Sequence, residues 1–255
     1  MLENIDLSRK VGKQDYRAAK EPLDLRLAAL QRTCHEHRIP ILVVFEGWDA
    51  AGKGTAINEL ILPLDPRGFE VHSTLAPNEE QALRPFLWRF WILTPPRGRI
   101  AIFDRSWYRR VLTERVEQKL KPADVGSAMR DIRSFERQLA DDGSVIIKFF
   151  LHISKSEQKK RFKKLQENKA TAWRVTKEDR KRHKQYDKYL AATEAMLAET
   201  DTDYASWTVV ESHNQRFATL KIFNKVCSVL EHRLASAPAA GPSGGGPRCP
   251  KPSLR

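Results

Sequence analysis

Five short apolar runs punctuate the chain: Ile41 to Phe45, Phe69 to Thr74, Ile100 to Phe103, Val145 to Leu151 and Trp207 to Val210. Their brevity and their β-branched residues predict buried strands. Between them lie segments with helical patterns, 53–64, 79–93, 124–140, 156–168 and 176–198. Ahead of the first run, Leu23, Leu27, Leu30 and Cys34 in 22–37 stand on one face of an amphipathic helix. Strands alternating with helices predict an α/β fold whose parallel five-stranded sheet is covered on both faces. Ser154 with Glu157, and approximately Thr176 with Asp179, have the spacing of helix-starting capping boxes. From about Ala235 the chain turns to Ala, Pro and Gly, a composition that buries no core. The expected organisation is one domain over 1–234 and a disordered tail over 235–255, with Cys249 in the tail and without a role.

Composition narrows the partners. Of 255 residues 41% are hydrophobic, enough for a sizeable core, while 45 Lys and Arg against 32 Asp and Glu leave a formal charge of +13. Such a charge implies a polyanion: nucleic acid, an anionic membrane, or a phosphate-rich molecule or polymer. Cys34, Cys227 and Cys249 are far apart and odd in number, so neither a zinc site nor a disulfide framework is indicated, and a reducing cytoplasm is expected. The first twenty residues carry no apolar stretch behind their charges, so no signal peptide is expected. No apolar run approaches the roughly 18 residues of a membrane span.

The first strand runs into Glu46–Gly47–Trp48–Asp49–Ala50–Ala51–Gly52–Lys53–Gly54–Thr55 and then a helix. Small residues there let backbone N–H groups converge on phosphate oxygens, the helix start adds positive partial charge, and a lysine neutralises the anion. Gly47, Gly52 and Lys53 fit the G-x-x-x-x-G-K spacing of a phosphate loop. Two departures carry information. The hydroxyl that would ligate magnesium after the lysine is replaced by Gly54, with Thr55 one residue out of register. A carboxylate, Asp49, sits inside a loop meant for anions. It would be repelled by phosphate unless a divalent cation lay between them, which makes Asp49 a candidate magnesium ligand. Asp104, at the end of the Ile100–Phe103 run, is a second carboxylate aimed where a phosphate loop's metal sits.

After Asp104 the chain reads Arg105–Ser106–Trp107–Tyr108–Arg109–Arg110. With EGWDAAGKG upstream and KFFLHISKSEQKKRF downstream, it resembles the polyphosphate kinase 2 family over roughly Asp6 to His232. The resemblance implies a three-layer α/β/α P-loop kinase fold with a helical lid. It also implies magnesium-dependent transfer of phosphoryl groups between inorganic polyphosphate and nucleotides, in either direction, with manganese as a substitute metal. The implied catalytic residues are Asp49, Lys53, Asp104, Arg105, Arg110 and Arg161, with Asp49 and Asp104 on the metal. Polyphosphate is implied at Gly47, Ala50, Ala51, Gly52, Lys53, Gly54 and Thr55, and further along at Arg109, Lys160 and Lys164. The family's asparagine at position 109 is an arginine here. Nucleotide is implied at Asp49, Arg105, Arg110 and Glu114, and a family tryptophan before the second lid helix corresponds to Trp173. Trp107 and Tyr108 are expected to pack rather than bind.

From Lys155 to Lys188 the chain carries 14 Lys or Arg against 5 Asp or Glu. Its place after the fourth strand predicts a basic lid over about 154–189 that tracks a polyanion, with Phe162 and Leu165 turned inward. The acceptor is expected to be an adenine nucleotide, AMP or ADP, with guanine as an alternative. Leu87–Trp88–Arg89 and Val111–Leu112 resemble the monophosphate-using branch. The implied assembly is a homodimer or homotetramer, without nucleic acid or membrane as partner. Two other readings stay open: an ATP-dependent nucleotide kinase, and a nucleic-acid-binding protein whose basic face is its function. The first leaves Asp49 and the missing hydroxyl unexplained, and the second also leaves the paired aspartates idle.

Overall fold

A computed structural model describes residues 2–236. The tail expected over 235–255, Cys249 included, lies outside them apart from Ala235 and Ser236, and Ala235 closes the last helix. The strands are β1 (Ile41–Gly47), β2 (Phe69–Ser73), β3 (Ile100–Asp104), β4 (Val145–His152) and β5 (Trp207–Glu211). They form one parallel sheet in the order β2-β3-β1-β4-β5. β4 is buried along its whole length and β1 up to Glu46, as central strands covered on both faces must be.

The first half of the chain supplies α1 (Lys13–Glu36), α2 (Lys53–Ile61), and two single turns, α3 (Glu79–Ala82) and α4 (Trp88–Trp91). Beyond β3 come α5 (Thr113–Val116), α6 (Val125–Asp141), α7 (Lys155–Glu167), α8 (Lys177–Lys184), α9 (Tyr186–Thr200) and α10 (Gln215–Ala235). α1 buries Leu23, Leu27, Leu30 and Cys34, as their spacing predicts, and packs on α10.

Three expectations need correction. The helix expected over 79–93 is broken into α3 and α4, because Pro85 has no N–H to donate and disfavours helix in the residue before it. The helix over 176–198 is interrupted at Gln185, where the backbone leaves helical geometry. α1 begins well before 22, and Pro22 stays inside it. α10 went unread, although Ala218, Ile222, Val226 and Leu230 recur every fourth residue and are all buried.

Near the carboxyl end of β1, Phe45 lies beside Asp104 of β3 on one side and Phe149 of β4 on the other. The chain leaves β1 towards one edge of the sheet and leaves β4 towards the other. Such a reversal at the carboxyl ends of the strands opens the crevice where α/β proteins bind ligands.

Candidate active site

The loop from Gly47 to Lys53 fills that crevice. Gly47 has φ 139°, and a Cβ there would meet the Leu151 backbone nitrogen at 2.8 Å, so β1 and β4 can close only around glycine. Ala50 at φ 60° and Gly52 at φ 103° turn the chain into α2. Non-glycine residues rarely hold positive φ, and Arg105, at φ 60°, does so across the crevice. Lys53 is buried and curls back, its Nζ donating to the carbonyls of Gly47 at 2.8 Å and Trp48 at 3.0 Å. Burial, and then Arg105, push its pKa down against the pull of Asp49, Asp104 and Glu46.

Asp49 is the hub. Its Oδ1 accepts from Arg105 Nη2 at 2.5 Å and its Oδ2 from Arg182 Nη1 at 3.0 Å, while Gln158 Nε2 donates to its backbone carbonyl at 3.0 Å. Burial raises the pKa of this carboxyl, but Arg105, Lys53 and Arg182 together outweigh it and hold the pKa below the ordinary value. Asp104 lies at the adjacent strand end and makes no side-chain hydrogen bond or ion pair among the described residues. A carboxylate in the loop after β1 and one at the end of neighbouring β3 suit a magnesium ion that brings phosphate and water ligands with it. No group of three or more His, Cys, Asp or Glu among the described residues could hold a metal alone.

Arg105 is positioned from below. Glu46, buried in β1, accepts from both the N–H and the hydroxyl of Ser106 at 2.8 Å, pinning the turn that carries Arg105. Behind it Trp107 and Tyr108 are fully buried, as expected. Both donate to Glu136 Oε1, at 2.9 and 2.7 Å, and Lys148 Nζ donates to Glu136 Oε2 at 2.8 Å, to Tyr108 Oη and to the Thr200 carbonyl. A buried ion pair costs desolvation that only complete hydrogen bonding offsets, and every polar side-chain atom here is satisfied.

Arg161, implied as a catalytic lid arginine, is held entirely by protein groups. Nε donates to Glu157 at 2.8 Å, Nη1 to the carbonyls of Ala50 and Ala51 at 3.0 and 3.1 Å, and Nη2 to those of Ser212 and His213 at 2.6 and 3.1 Å. All five donors of the guanidinium are engaged. In this structure Arg161 clamps the loop and has nothing left for phosphate.

The crevice encloses a cavity of about 50 Å³. Its lining includes the polar Asp49, Arg105, Arg109, Gln158 and Arg182 together with Leu112, Phe150, Tyr189 and Thr193. Of the implied residues, Gly47 also lines it. Arg110 and Glu114 stand off, paired to each other at 2.9 Å, with Arg109 Nε 3.9 Å from Glu114. Gly54 and Thr55 are exposed outside the cavity at the start of α2. Lys160 and Lys164 are exposed on α7, Leu165 is half-buried, Phe162 is buried, and Trp173 is exposed at a turn between α7 and α8.

Arg182 and Tyr189 escaped sequence reading. Arg182 is one cation among Arg180, Lys181, His183 and Lys184. The usable signal was Asp179, Arg182, Tyr186 and Tyr189 recurring at three- and four-residue steps, a face that turns inward.

Known proteins resemble this one across nearly the whole chain. The family model for polyphosphate kinase 2 matches residues 10–238. A Pseudomonas aeruginosa PAO1 protein named polyphosphate:AMP phosphotransferase is 38% identical over 231 residues, 91% of this chain and 47% of that protein. The chain thus spans about half the length of that relative. A Meiothermus ruber AMP/ADP-polyphosphate phosphotransferase is 35% identical over 221 residues, 86% of this chain and 83% of its own length. A crystal structure of a Pseudomonas aeruginosa PA01 protein assigned to polyphosphate kinase 2 superposes with a TM-score of 0.90 at 38% identity, covering 93% of this chain and 51% of that one. Matched from residue 10 to residue 238 by the family model, and by sequence and structure alike to its members, the chain belongs to the polyphosphate kinase 2 family.

Proposed function

We propose that the protein transfers a phosphoryl group from inorganic polyphosphate to a nucleotide, AMP to ADP or ADP to ATP, reversibly and with magnesium. The observation that carries this reading is Asp49, a carboxylate inside the phosphate loop and beside the unpaired Asp104. Relatives named for polyphosphate with AMP, or with AMP and ADP, support the choice of donor and acceptor.

An acceptor phosphate oxygen attacks the terminal phosphorus of the polymer. The new P–O bond forms as the bond to the penultimate phosphate breaks, and the shortened polymer leaves with the electron pair. Arg105 neutralises charge on the moving group, which in such transfers is most of what a protein contributes. Asp49 and Asp104 would hold magnesium, which would supply positive charge to offset that of the phosphate oxygens. Manganese would serve the same donor set.

The segment 154–189 acts as a lid in this reading. A cavity of about 50 Å³ is far below the roughly 300 Å³ at which small-molecule pockets begin. Arg182 must therefore leave Asp49 for substrate and metal to enter. The exposed Lys160 and Lys164 would then meet the polymer. We further propose a homodimer or homotetramer in a reducing cytoplasm; Cys34 and Cys227 are buried and free. No helix among the described residues is long and apolar enough to cross a membrane.

The test is product analysis after incubation with magnesium, long-chain polyphosphate and AMP or ADP, without ATP. New ADP or ATP supports the reading. Transfer to AMP only when ATP is supplied would make the protein an ordinary nucleotide kinase.

A further inference from the structure

Four buried side-chain polar atoms lack a hydrogen-bond partner among the described residues: Arg109 Nε, Arg110 Nε, Arg182 Nε and Tyr189 Oη. Three of these four residues, Arg109, Arg182 and Tyr189, line the cavity beside Asp49. Tyr189 is only 8% exposed. Arg109 Nε stands 3.9 Å from Glu114 and Arg182 Nε 3.8 Å from Glu117, both beyond hydrogen-bond reach. Buried donors are almost always satisfied, so three unsatisfied at one small cavity describe a missing acceptor.

We propose that Arg109, Arg182 and Tyr189 form the pocket for the acceptor nucleotide's own phosphate, the group attached to the ribose rather than the group in flight. This rests on the phosphotransfer reading and assigns a side of the site to each substrate. The cavity is walled by the loop's first half, Gly47 to Asp49, and not by Gly52 to Thr55. On that second side the surface is open: a Cβ at Gly54 would meet nothing within 4 Å. A polymer must run out of the site, so it needs the open side. Once Arg182 has released Asp49, a nucleotide would enter on the side that α8 and α9 cover, where Leu112 and Phe150 offer apolar surface to the nucleoside. Arg109 thereby moves from the donor, where the family resemblance set it, to the acceptor. The carboxylates near this wall already have partners: Asp179 accepts from Arg182 Nη1 at 2.9 Å, and Glu117 is held at 2.6 Å by Lys119.

Tyr189→Phe isolates the claim, because it removes an atom that has no partner in the empty pocket. The full chain is titrated with AMP and with adenosine by calorimetry, alongside a thermal melt. AMP affinity should fall about tenfold, the scale of one hydrogen bond to a charged group. Adenosine affinity should stay within about twofold of wild type, and the melting temperature should hold or rise, since an unsatisfied buried hydroxyl has gone. Arg109→Gln should weaken AMP in the same direction. Unchanged AMP affinity, equal weakening of AMP and adenosine, or a melt lowered by several degrees would each overturn the proposal. The binding readout needs no turnover. Selective loss of AMP by a protein that transfers nothing from polyphosphate would leave the pocket standing and remove the reaction.

Discussion

Asp49 sits between two arginines, Arg105 in the turn after β3 and Arg182 on α8. Asp49→Asn keeps the side chain's size but removes the charge that gathers Arg105 and Arg182 and, in the proposed function, would hold metal. Turnover should drop by about a hundredfold or more, the range seen when one transition-state electrostatic contact is lost, while the fold survives. Near-normal turnover would make Asp49 a loop-shaping residue only. Gly47→Ala should instead damage the fold, because its Cβ would strike the Leu151 backbone. A loss of about 1–3 kcal/mol in denaturant unfolding is expected for strain of this kind, and an unchanged midpoint would contradict it. Asp49 and Asp104 were legible from sequence because a charge stood where local pattern forbade one. Arg182 and Tyr189 were not, because their importance comes from α8 and α9 folding back over a loop more than a hundred residues away.

At the scale of elements, α7 does two jobs with two faces. Its inner face carries Arg161, whose five hydrogen bonds tie the phosphate loop to the Ser212–His213 turn. Lysine offers three donors on a mobile stem and cannot replace that fork. Arg161→Lys should lower the melting temperature by about 5 °C, from one to two hydrogen bonds lost in a domain of this size. An unchanged melt with weakened polyphosphate binding would return Arg161 to phosphate. The outer face exposes Lys159, Lys160, Lys163 and Lys164. Neutralising all four should raise the apparent KM for long polyphosphate by about tenfold at low salt and flatten its salt dependence. Unchanged affinity would leave them a solvated face. All five strands were legible as short apolar runs, as was α1 from its leucine spacing. The break at Gln185 was not, because the helical periodicity continues on either side of it and only backbone geometry interrupts it; the break at Pro85 was signalled by the proline itself and went unused.

Over the whole molecule, a basic exterior surrounds an interior that tolerates charge only where it is paired. His152, buried in β4, accepts from Trp48 Nε1 at 2.9 Å through Nδ1, and this requires the neutral ring. Burial, and then His213, push its pKa down to about 4 from the ordinary 6.5. The unfolded chain binds more protons between those values, so stability is complete above pH 6.5 and falls as pH drops towards 4. His152→Gln should flatten that slope in melts recorded across the window; an identical slope would put the protonation elsewhere. That Asp49 and Asp104 act as one metal-dependent unit is the step of the proposed function on which the others depend. It is tested most directly by turnover against magnesium concentration, with polyphosphate as donor and AMP as acceptor, for wild type, Asp49→Asn, Asp104→Asn and the double variant. Large losses are expected in both single variants, with little further loss in the double, as for residues that act together, and a wild-type rate that rises with magnesium. A wild-type rate indifferent to magnesium, or single losses that simply multiply, would contradict it.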